Sequence, residues 1–392
     1  MTHPVLLVLL AAQSAAAFAA LSRLLPGRRR RAPVAPCATG AAGSVTVVVP
    51  TMNEARRVVP CLDGLAAQSA VVDRILVVDS RSTDATPDLV RAAAARDPRI
   101  TLIADEPAPP GWIGKVWALQ QALPHVRTEW VLGVDADTIP HPGLAGGALA
   151  AATGAGYDVV SFAPRFAGMS VAERFLQPAI LATLVYRTGV PGDDRRTDRV
   201  LANGQCFLAR RQLLLDAGGY GAARASWADD VTLARSLAAR GARVGFLDGA
   251  RLYDVHAYAS AGEMWREWGR SVDLSDATSR GRQWSDIAML VCAQALPLPT
   301  IVAIAAWWIA RGGGALPPVI GALAGVNAGL FALRLALLNG LSRSYAERGW
   351  SFWLSPLADS AAVFRIVLST VRRPRRWRGR RFQLDAAGTH EA

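Results

Sequence analysis

Residues 45–79 read VTVVVPTMNEARRVVPCLDGLAAQSAVVDRILVVD, two apolar, valine-rich runs with a helix-like segment between them. Further apolar runs follow at 100–103, 131–134 and 159–162, and helical stretches with an apolar face lie at 54–68, 85–96 and 114–124. This alternation predicts an α/β fold with a mostly parallel, Rossmann-like sheet that helices cover on both faces. In such a sheet, the ligand site lies at the carboxyl ends of the strands.

The chain of 392 residues is basic, with 43 Lys and Arg against 31 Asp and Glu and a net charge of +12. Its arginines crowd at 28–31 and 372–381, beside apolar runs, which favours contact with a membrane surface. Basic and aromatic residues do not interleave as they do in an RNA-binding sheet, so nucleic acid is not expected as a partner. The four cysteines are widely spaced, which argues against a disulfide framework or a zinc site.

Apolar stretches predict transmembrane helices at both ends of the chain. Positive charge follows the run 4–25 instead of preceding it, which indicates an uncleaved anchor with the following domain in the cytoplasm. The stretches 287–310 and 316–338 are each long enough to cross a bilayer. A third span at 351–371 would export the arginine-rich tail, so an interfacial or re-entrant segment is favoured there.

Five parts are therefore predicted along the chain. They are a membrane anchor (1–26), a basic and Pro-Ala-Gly linker (27–44), a cytoplasmic domain (45–285), a C-terminal membrane region (286–372) and a basic cytoplasmic tail (373–392). This organisation is typical of a multi-pass protein of the cell membrane with its soluble domain in the cytoplasm.

Two carboxylates, Asp135 and Asp137, follow the buried run 131–134. Two anions at a strand end are unfavourable unless a cation or hydrogen bonds compensate them. Their hard oxygen atoms suit Mg²⁺ or Mn²⁺, which would bridge them to a diphosphate. The pattern therefore predicts a divalent-cation site, with a solvated turn as the structural alternative.

Polar residues also follow the first two strands. Thr51 and Glu54 stand where a nucleoside would be bound, although the same residues suit an ordinary turn and helix start. Asp79 ends the second strand, where it can accept hydrogen bonds from a ribose or base, whereas Asp84 is interpreted as structural.

Lys115 is the only lysine in the chain, and it opens a predicted helix. A cation at a helix N-terminus opposes the helix dipole unless an anion lies nearby, which suggests contact with a nucleotide diphosphate. Asp229 and Asp230 open another helix, where carboxylates are favourable in any case. One of the two would act as a general base, and capping of the helix is the alternative.

In this order, the stretches PTMNE, VVDSRSTDAT, GWIGKVWAL, VDADT, ERFLQPAI, ANGQCFLARR, GGY and WADDVTLA resemble the family 2 glycosyltransferases. The likeness covers about 45–235 and is greatest to the membrane-bound branch that acts on lipids, namely the hopanoid-associated, carotenoid and ceramide glycosyltransferases. It implies a GT-A fold, a nucleotide-diphosphate-sugar donor, a lipid acceptor and an inverting single displacement.

The resemblance also implies roles for individual residues. Asp230 would be the base, Asp79 would contact the nucleoside, and Asp135 and Asp137 would hold the ribose and the metal. Pro50 and Gly204, in the shared stretches PTMNE and ANGQC, would line the nucleotide-sugar site.

Two positions depart from the family pattern. The carboxylate pair reads Asp-Asp instead of Glu-Asp, which leaves the choice between Asp229 and Asp230 open. The QxxRW box is absent, and Arg270 in EWGRS is its nearest equivalent.

Two other functions remain open. A polyprenyl-phosphate sugar synthase has a phosphate acceptor that needs no base, and a non-catalytic membrane scaffold would only bind the nucleotide. A nucleotidyltransferase or a dinucleotide oxidoreductase is disfavoured, because the first strand is followed by neither a glycine-rich phosphate loop nor GxGxxG.

Overall fold

The computed structural model describes the backbone from residue 3 to residue 391, except 193–198, 257, 259, 272–273, 372–375, 378–379 and 386–387. Side chains are described over the same range apart from 3, 28–29, 268–271 and those after 371.

The helices are α1 (His3–Leu24), α2 (Val58–Ala66), α3 (Thr86–Arg96), α4 (Gly114–Ala122), α5 (Leu144–Ala155), α6 (Val171–Thr188), α7 (Arg211–Asp216), α8 (Asp229–Ala239), α9 (Ala261–Ser271), α10 (Arg280–Leu290), α11 (Pro297–Ala310), α12 (Pro318–Leu341), α13 (Gly349–Trp353) and α14 (Asp359–Val371). The strands are β1 (Val45–Thr51), β2 (Val72–Asp79), β3 (Ile100–Ala104), β4 (Trp130–Val134), β5 (Thr138–Pro140), β6 (Val159–Ala163), β7 (Arg165–Phe166), β8 (Cys206–Arg210), β9 (Val244–Asp248), β10 (Tyr253–Val255), β11 (Arg376–Trp377), β12 (Arg380–Asp385) and β13 (Gly388–Glu391).

The chain divides into two compact units. The sheet unit comprises Arg30–Gly168, Pro191–Ala257 and Pro374–Ala392. The helical unit comprises Met1–Arg29, Met169–Val190 and Tyr258–Arg373, so α6 belongs to it although the chain on either side of α6 belongs to the sheet unit.

Seven strands form the main sheet in the order β3-β2-β1-β4-β8-β6-β9. β1 pairs in parallel with β2 and β4, and the pairs β2–β3 and β6–β9 are also parallel. β8 alone runs against its neighbours β4 and β6. The predicted mostly parallel sheet is therefore confirmed.

Both faces of the main sheet are covered, which explains why its strands are continuously apolar. In β1, Val47 and Val49 pack into a core with residues of α2, α3 and α5. Val48 points to the other face, where it joins a second core with residues of α4 and α8. Because successive side chains of a strand point to opposite faces, a run of valines supplies both cores.

The predicted helix at 54–68 begins later than expected, at Val58. Asn53 has a left-handed backbone with φ of 55°, and its side-chain oxygen accepts a hydrogen bond from Thr83 N at 2.9 Å. Glu54 N donates to Thr86 Oγ1 at 2.8 Å. These contacts with the loop after β2 hold the first residues of the predicted helix in an irregular turn, so the helix cannot begin there.

A second, three-stranded sheet in the order β5-β10-β7 supports the chain immediately after Asp137. β5 pairs antiparallel with β10, and β10 pairs in parallel with β7. Arg165 donates two hydrogen bonds to Asp254, at 2.6 and 2.8 Å, and His141 Nε2 lies 3.2 Å from the same carboxylate. The loop after β4 is thus fixed by residues more than a hundred positions away.

In the helical unit, two described helical segments, Pro4–Gly27 and Pro318–Ser344, are long and apolar enough to cross a membrane. A third candidate is the helical pair Arg280–Ala295 and Pro297–Ala310, which are bent by 43° at the break between them. The stretch predicted as one span at 287–310 is therefore broken by a bend near its start.

Two pairs of buried polar side chains connect helices within this unit. Gln13 of α1 and Asn327 of α12 exchange two amide hydrogen bonds, of 2.8 and 2.7 Å, and both side chains are buried. Arg334 of α12 donates to both oxygens of Asp359, at 3.0 and 2.9 Å. Buried polar groups are tolerated when each finds such a partner, and these contacts hold α1, α12 and α14 in one arrangement.

Two glycines of α5 provide a test of the packing in the sheet unit. A methyl group on Gly146 would overlap the carbonyl oxygen of Cys37, whereas one on Gly154 would meet nothing within 4 Å. We expect Gly146→Ala to destabilise the protein by about 1–3 kcal/mol through overpacking. Gly154→Ala should be neutral or stabilising by up to about 1 kcal/mol, because alanine favours a helix.

Thermal unfolding of both full-length variants in detergent measures the difference. Equal unfolding temperatures would show that the chain around Cys37 does not pack tightly on α5.

Candidate active site

A cleft lies in the sheet unit at the carboxyl ends of β1 and β4, where the strand order predicts a ligand site. Its lining includes six residues singled out in the sequence, namely Pro50, Lys115, Asp135, Gly204, Asp229 and Asp230. Apolar side chains, among them Leu119, Phe207 and Tyr220, form the rest of the wall. Residues from five separate segments of the chain thus meet in one place.

Lys115 stands at the centre of this cluster. Its ammonium nitrogen lies 2.9 and 3.1 Å from the two oxygens of Asp135, and 3.7 Å from Asp229 Oδ2. Burial lowers the pKa of Lys115, but the attraction of Asp135, Asp229 and Asp230 outweighs it, so the pKa lies above its usual value. Lys115 is therefore charged, and the anion expected near this helix N-terminus is supplied by the protein itself.

Asp230 is held from both sides by backbone amides. Gly204 N donates to its Oδ2 and Val231 N to its Oδ1, each at 2.7 Å. Burial, and next the charge of Asp229, raise the pKa of Asp230 to about 7, although Lys115 and the two amides lower it. A carboxylate with a pKa near neutrality can accept a proton under physiological conditions.

Helix capping alone does not explain the carboxylate pair. The N-cap residue of α8 is Ala228, which makes no side-chain capping bond. Asp229 is directed instead to Lys115, and Asp230 bridges the amides of Gly204 and Val231. Asp230 thus satisfies one first-turn amide of α8, as a capping side chain would. Capping alone does not account for the bond of this carboxylate to Gly204 or for the contact of Asp229 with Lys115, so capping and the general base both stay predictions.

Gly204 is required by the close approach of its neighbours. A methyl group at this position would lie 2.7 Å from Lys115 Nζ and 3.6 Å from Asp230 Oδ2. Any larger residue would push the ammonium out of place. The glycine thus sets the spacing between the lysine and the carboxylate pair.

Asp79 is the last residue of β2, where it pairs with Thr51 of β1, and it is buried. Its carboxylate accepts hydrogen bonds from Ser82 N at 2.9 Å, Ser82 Oγ at 2.6 Å and Thr51 Oγ1 at 3.2 Å. Glu54 is also buried, and its backbone oxygen receives the first amides of α2. Contact of Thr51, Glu54 and Asp79 with a nucleoside stays a prediction.

Asp84 has the structural role interpreted from the sequence. Its oxygens accept hydrogen bonds from Ala55 N at 3.1 Å and from Thr86 N at 3.0 Å. It thereby ties the loop after β1 to the loop after β2.

A divalent cation fits the chemistry of the cleft. Four carboxylates, Asp135, Asp137, Asp229 and Asp230, are accompanied by the single ammonium of Lys115. In the part of the chain that the structure describes, no group of three His, Cys, Asp or Glu side chains could hold a metal. Magnesium-type sites often use one or two carboxylates and complete their coordination with phosphate oxygens and water, so Asp135 and Asp137 stay the predicted ligands.

Tyr253 has no recognisable signal in the sequence, yet it lies beneath the cleft. Its hydroxyl donates to Phe162 O at 2.6 Å. Burial raises its pKa well above the usual value, as do the charges of Cys206, Asp135, Asp137 and Asp230. Only the pairing of β10 with β5 and β7 brings this residue to the site, and no local pattern predicts that pairing.

Arg270, the expected equivalent of the family's arginine, belongs to α9 of the helical unit. Its side chain lies outside the described residues, so its role stays a prediction.

The sequence profile of the family described as Glycosyltransferase like family 2 matches residues 42–273, more than half of the chain. The succinoglycan biosynthesis protein ExoO of Rhizobium meliloti (strain 1021) is 37% identical over 99 residues, which are 25% of this chain and 26% of ExoO. The chain thus matches about a quarter of the length of this relative.

Among solved structures, the mannosyltransferase PcManGT from Pyrobaculum calidifontis, in complex with GDP-Man and Mn2+, has a TM-score of 0.51 and 24% identity. The match covers 93% of this chain and 98% of that one, which confirms the expected fold. Glucosyl-3-phosphoglycerate synthase from Mycobacterium tuberculosis, in complex with Mn2+, UDP and glucosyl-3-phosphoglycerate, has a TM-score of 0.41 and 22% identity over 61% of this chain and 81% of its own.

Replacing Lys115 tests the electrostatics of the cleft. We expect Lys115→Met to unfold at a lower temperature at pH 8, with a loss on the order of 2 kcal/mol, because the carboxylates lose their counter-ion. The loss should shrink as the pH falls through 7 towards 5, since Asp230 becomes protonated and the repulsion falls.

Lys115→Arg keeps the charge and is the matched control in thermal unfolding between pH 5 and 8. A loss of stability that is the same at every pH would show that Lys115 acts through packing instead.

Proposed function

The chain belongs to the glycosyltransferase like family 2, and we propose that it transfers a sugar, with inversion, from a nucleotide-diphosphate sugar to a lipid hydroxyl. The observation that carries this proposal is the carboxylate pair Asp229–Asp230 beside Lys115 and Asp135, in one cleft at the carboxyl ends of the strands. A family 2 glycosyltransferase uses a nucleotide-sugar donor, and this cleft offers both a diphosphate site and a base.

Asp230 is proposed as the general base. As its carboxylate removes the proton of the acceptor hydroxyl, the acceptor oxygen bonds to the anomeric carbon of the sugar. The bond from that carbon to the diphosphate breaks, and the nucleoside diphosphate leaves with the bonding electrons. The pKa of about 7 suits this role, and the amides of Gly204 and Val231 hold the carboxylate in place.

Asp229 and Lys115 are proposed to support the same step. The charge of Asp229 helps to raise the pKa of Asp230, whereas Lys115 opposes that effect. Lys115 also reaches Asp135, so its ammonium can be shared with a donor diphosphate when one binds.

The donor is proposed to bind along the ends of β1, β2 and β4. Pro50, Thr51, Glu54 and Asp79 would contact the nucleoside, and Asp135 the ribose. Asp135 and Asp137 would hold Mg²⁺ or Mn²⁺, which as a Lewis acid neutralises charge on the diphosphate.

A membrane lipid is proposed as the acceptor. Two described helical segments are long and apolar enough to cross a bilayer, and a third, bent pair brings the number to three. An enzyme held at the membrane meets its acceptor within the lipid layer, as expected for a carotenoid, a hopanoid or another glycolipid precursor. The arginines at 28–31 support a cytoplasmic catalytic domain, where nucleotide sugars are available.

A polyprenyl-phosphate sugar synthase is the second candidate, since it would share the donor site and the membrane. It is distinguished by its acceptor, a phosphate that is already ionised. A scaffold that only binds the nucleotide would have no use for the proton acceptor that the raised pKa of Asp230 provides.

The variant Asp230→Asn separates the two acceptor classes. We expect transfer to a lipid hydroxyl to fall by about 10²–10⁴-fold, because the base is removed. Binding of the nucleotide should change little. Transfer assays with detergent-extracted enzyme, labelled donor and membrane lipids measure the loss of transfer, and the labelled donor retained by the enzyme measures the binding. Undiminished transfer to a polyprenyl phosphate in this variant would favour the synthase instead.

The variant Asp137→Ala tests the metal. We expect it to lose Mn²⁺-dependent transfer into the lipid fraction with UDP-, GDP- and TDP-sugars, because one of two protein ligands is gone. Asp88→Ala, which removes an exposed carboxylate of α3, is the control. If wild-type enzyme binds nucleotide but turns over no donor with either metal, the scaffold becomes the better account.

A further inference from the structure

Residues 349–371 of the helical unit carry an exposed apolar stripe. Four large side chains on it, Trp350, Trp353, Leu357 and Phe364, are between 46% and 69% exposed. The opposite side of the same segment is buried, with Phe352, Ala358, Ala362, Val363 and Ile366 packed inside the unit. An apolar patch of this extent needs an apolar partner.

This segment is too broken to cross a bilayer. It consists of α13 with 5 residues, a 3₁₀ turn at Ser355–Ala358 and α14 with 13 residues. A helix of 13 residues is about 20 Å long, whereas the hydrocarbon layer is about 30 Å thick. The stripe therefore cannot be the lipid-facing side of a third straight span.

Two hydrogen bonds locate Asp359 relative to α11 and α12. It accepts hydrogen bonds from Gln294, just before α11, at 3.0 Å, and from Arg334, late in α12, at 2.9 Å. α11 and α12 form a helical hairpin whose open end lies near Gln294 and Arg334. The 14 residues of α11 make this hairpin about 21 Å long. Val302 and Ile309 of this hairpin are 58% and 69% exposed, as expected for side chains in lipid. Asp359 therefore lies near the open end of this hairpin, opposite the loop that joins α11 to α12.

Charged and aromatic residues at the start of the stripe suit a position at the membrane surface. Arg343 and Arg348 are exposed immediately before Trp350. Tryptophan is enriched at the level of the lipid headgroups, and arginine is attracted to anionic headgroups. The combination of an apolar face and flanking arginines is typical of a helix that lies in the interface.

We propose that residues 349–371 lie along the membrane surface and bind anionic phospholipid, with Trp350, Trp353, Leu357 and Phe364 immersed at the headgroup boundary. This inference rests on the proposed membrane insertion of α11 and α12.

Depth-dependent fluorescence quenching tests it. Single cysteines replace Leu357 or Val302 in the full chain carrying Cys37→Ser and Cys292→Ser, in which the other two cysteines, Cys61 and Cys206, are buried. After NBD labelling, the protein is reconstituted in phosphatidylcholine vesicles with spin-labelled lipids. For Leu357→Cys we expect about twofold stronger quenching by a headgroup-level label than by a deep one, because an interfacial face is buried only about 5–10 Å. Val302→Cys should show the opposite order.

The outcomes separate the inference from its premise. If Val302→Cys is quenched by neither label, the hairpin is not in the membrane and the proposed insertion fails. If Val302→Cys is deep but Leu357→Cys is equally deep, or is quenched by neither label, the interfacial placement alone is overturned.

Adding phosphatidylglycerol tests the headgroup preference. We expect it to increase headgroup-level quenching at Leu357→Cys, and the double variant Arg343→Gln/Arg348→Gln to lose the increase. The same quenching with and without the anionic lipid would overturn that part of the proposal.

Discussion

The ammonium of Lys115 is the interaction on which the catalytic cleft depends, because it holds carboxylates from two different parts of the chain in one place. Asp135 comes from the end of β4 and Asp229 from the start of α8, and both approach the same nitrogen. Without a cation, four carboxylates at one edge of a sheet would repel each other. The ammonium of Lys115 offsets part of this repulsion, and it can exchange contacts with a diphosphate that binds in the cleft.

The same arrangement suits one aspartate to the role of base that we propose for it. Asp229 and Asp230 are neighbours, yet one is paired with Lys115 and the other is held by backbone amides in a desolvated position. Environments that push the proton affinities of two carboxylates apart assign them different roles. This arrangement lowers the stability of the fold at neutral pH, because Asp230 begins to ionise there in a site that disfavours its charge.

The helical unit uses the same rule of paired polar groups in apolar surroundings. The amide pair Gln13–Asn327 and the ion pair Arg334–Asp359 are both buried. Such contacts contribute little net stability, but breaking one partner is costly because the other remains buried. They fix which helix faces meet, and hence which apolar side chains remain exposed to lipid.

The sequence by itself determined the sheet, the apolar helices and most of the cleft. Valine-rich runs ending in polar motifs have few alternatives to buried parallel strands, and such strands bring their carboxyl ends to one edge. Lys115, Asp135, Asp229 and Asp230 could therefore be named in advance. Only the tertiary structure decided what each one contacts. Long-range pairing supplied the partner of Lys115, brought Tyr253 beside β5 and β7 and delayed α2 to Val58. Local periodicity reports which face of an element is buried, but a charge or a hydrogen bond chooses its partner only after distant segments have been brought together.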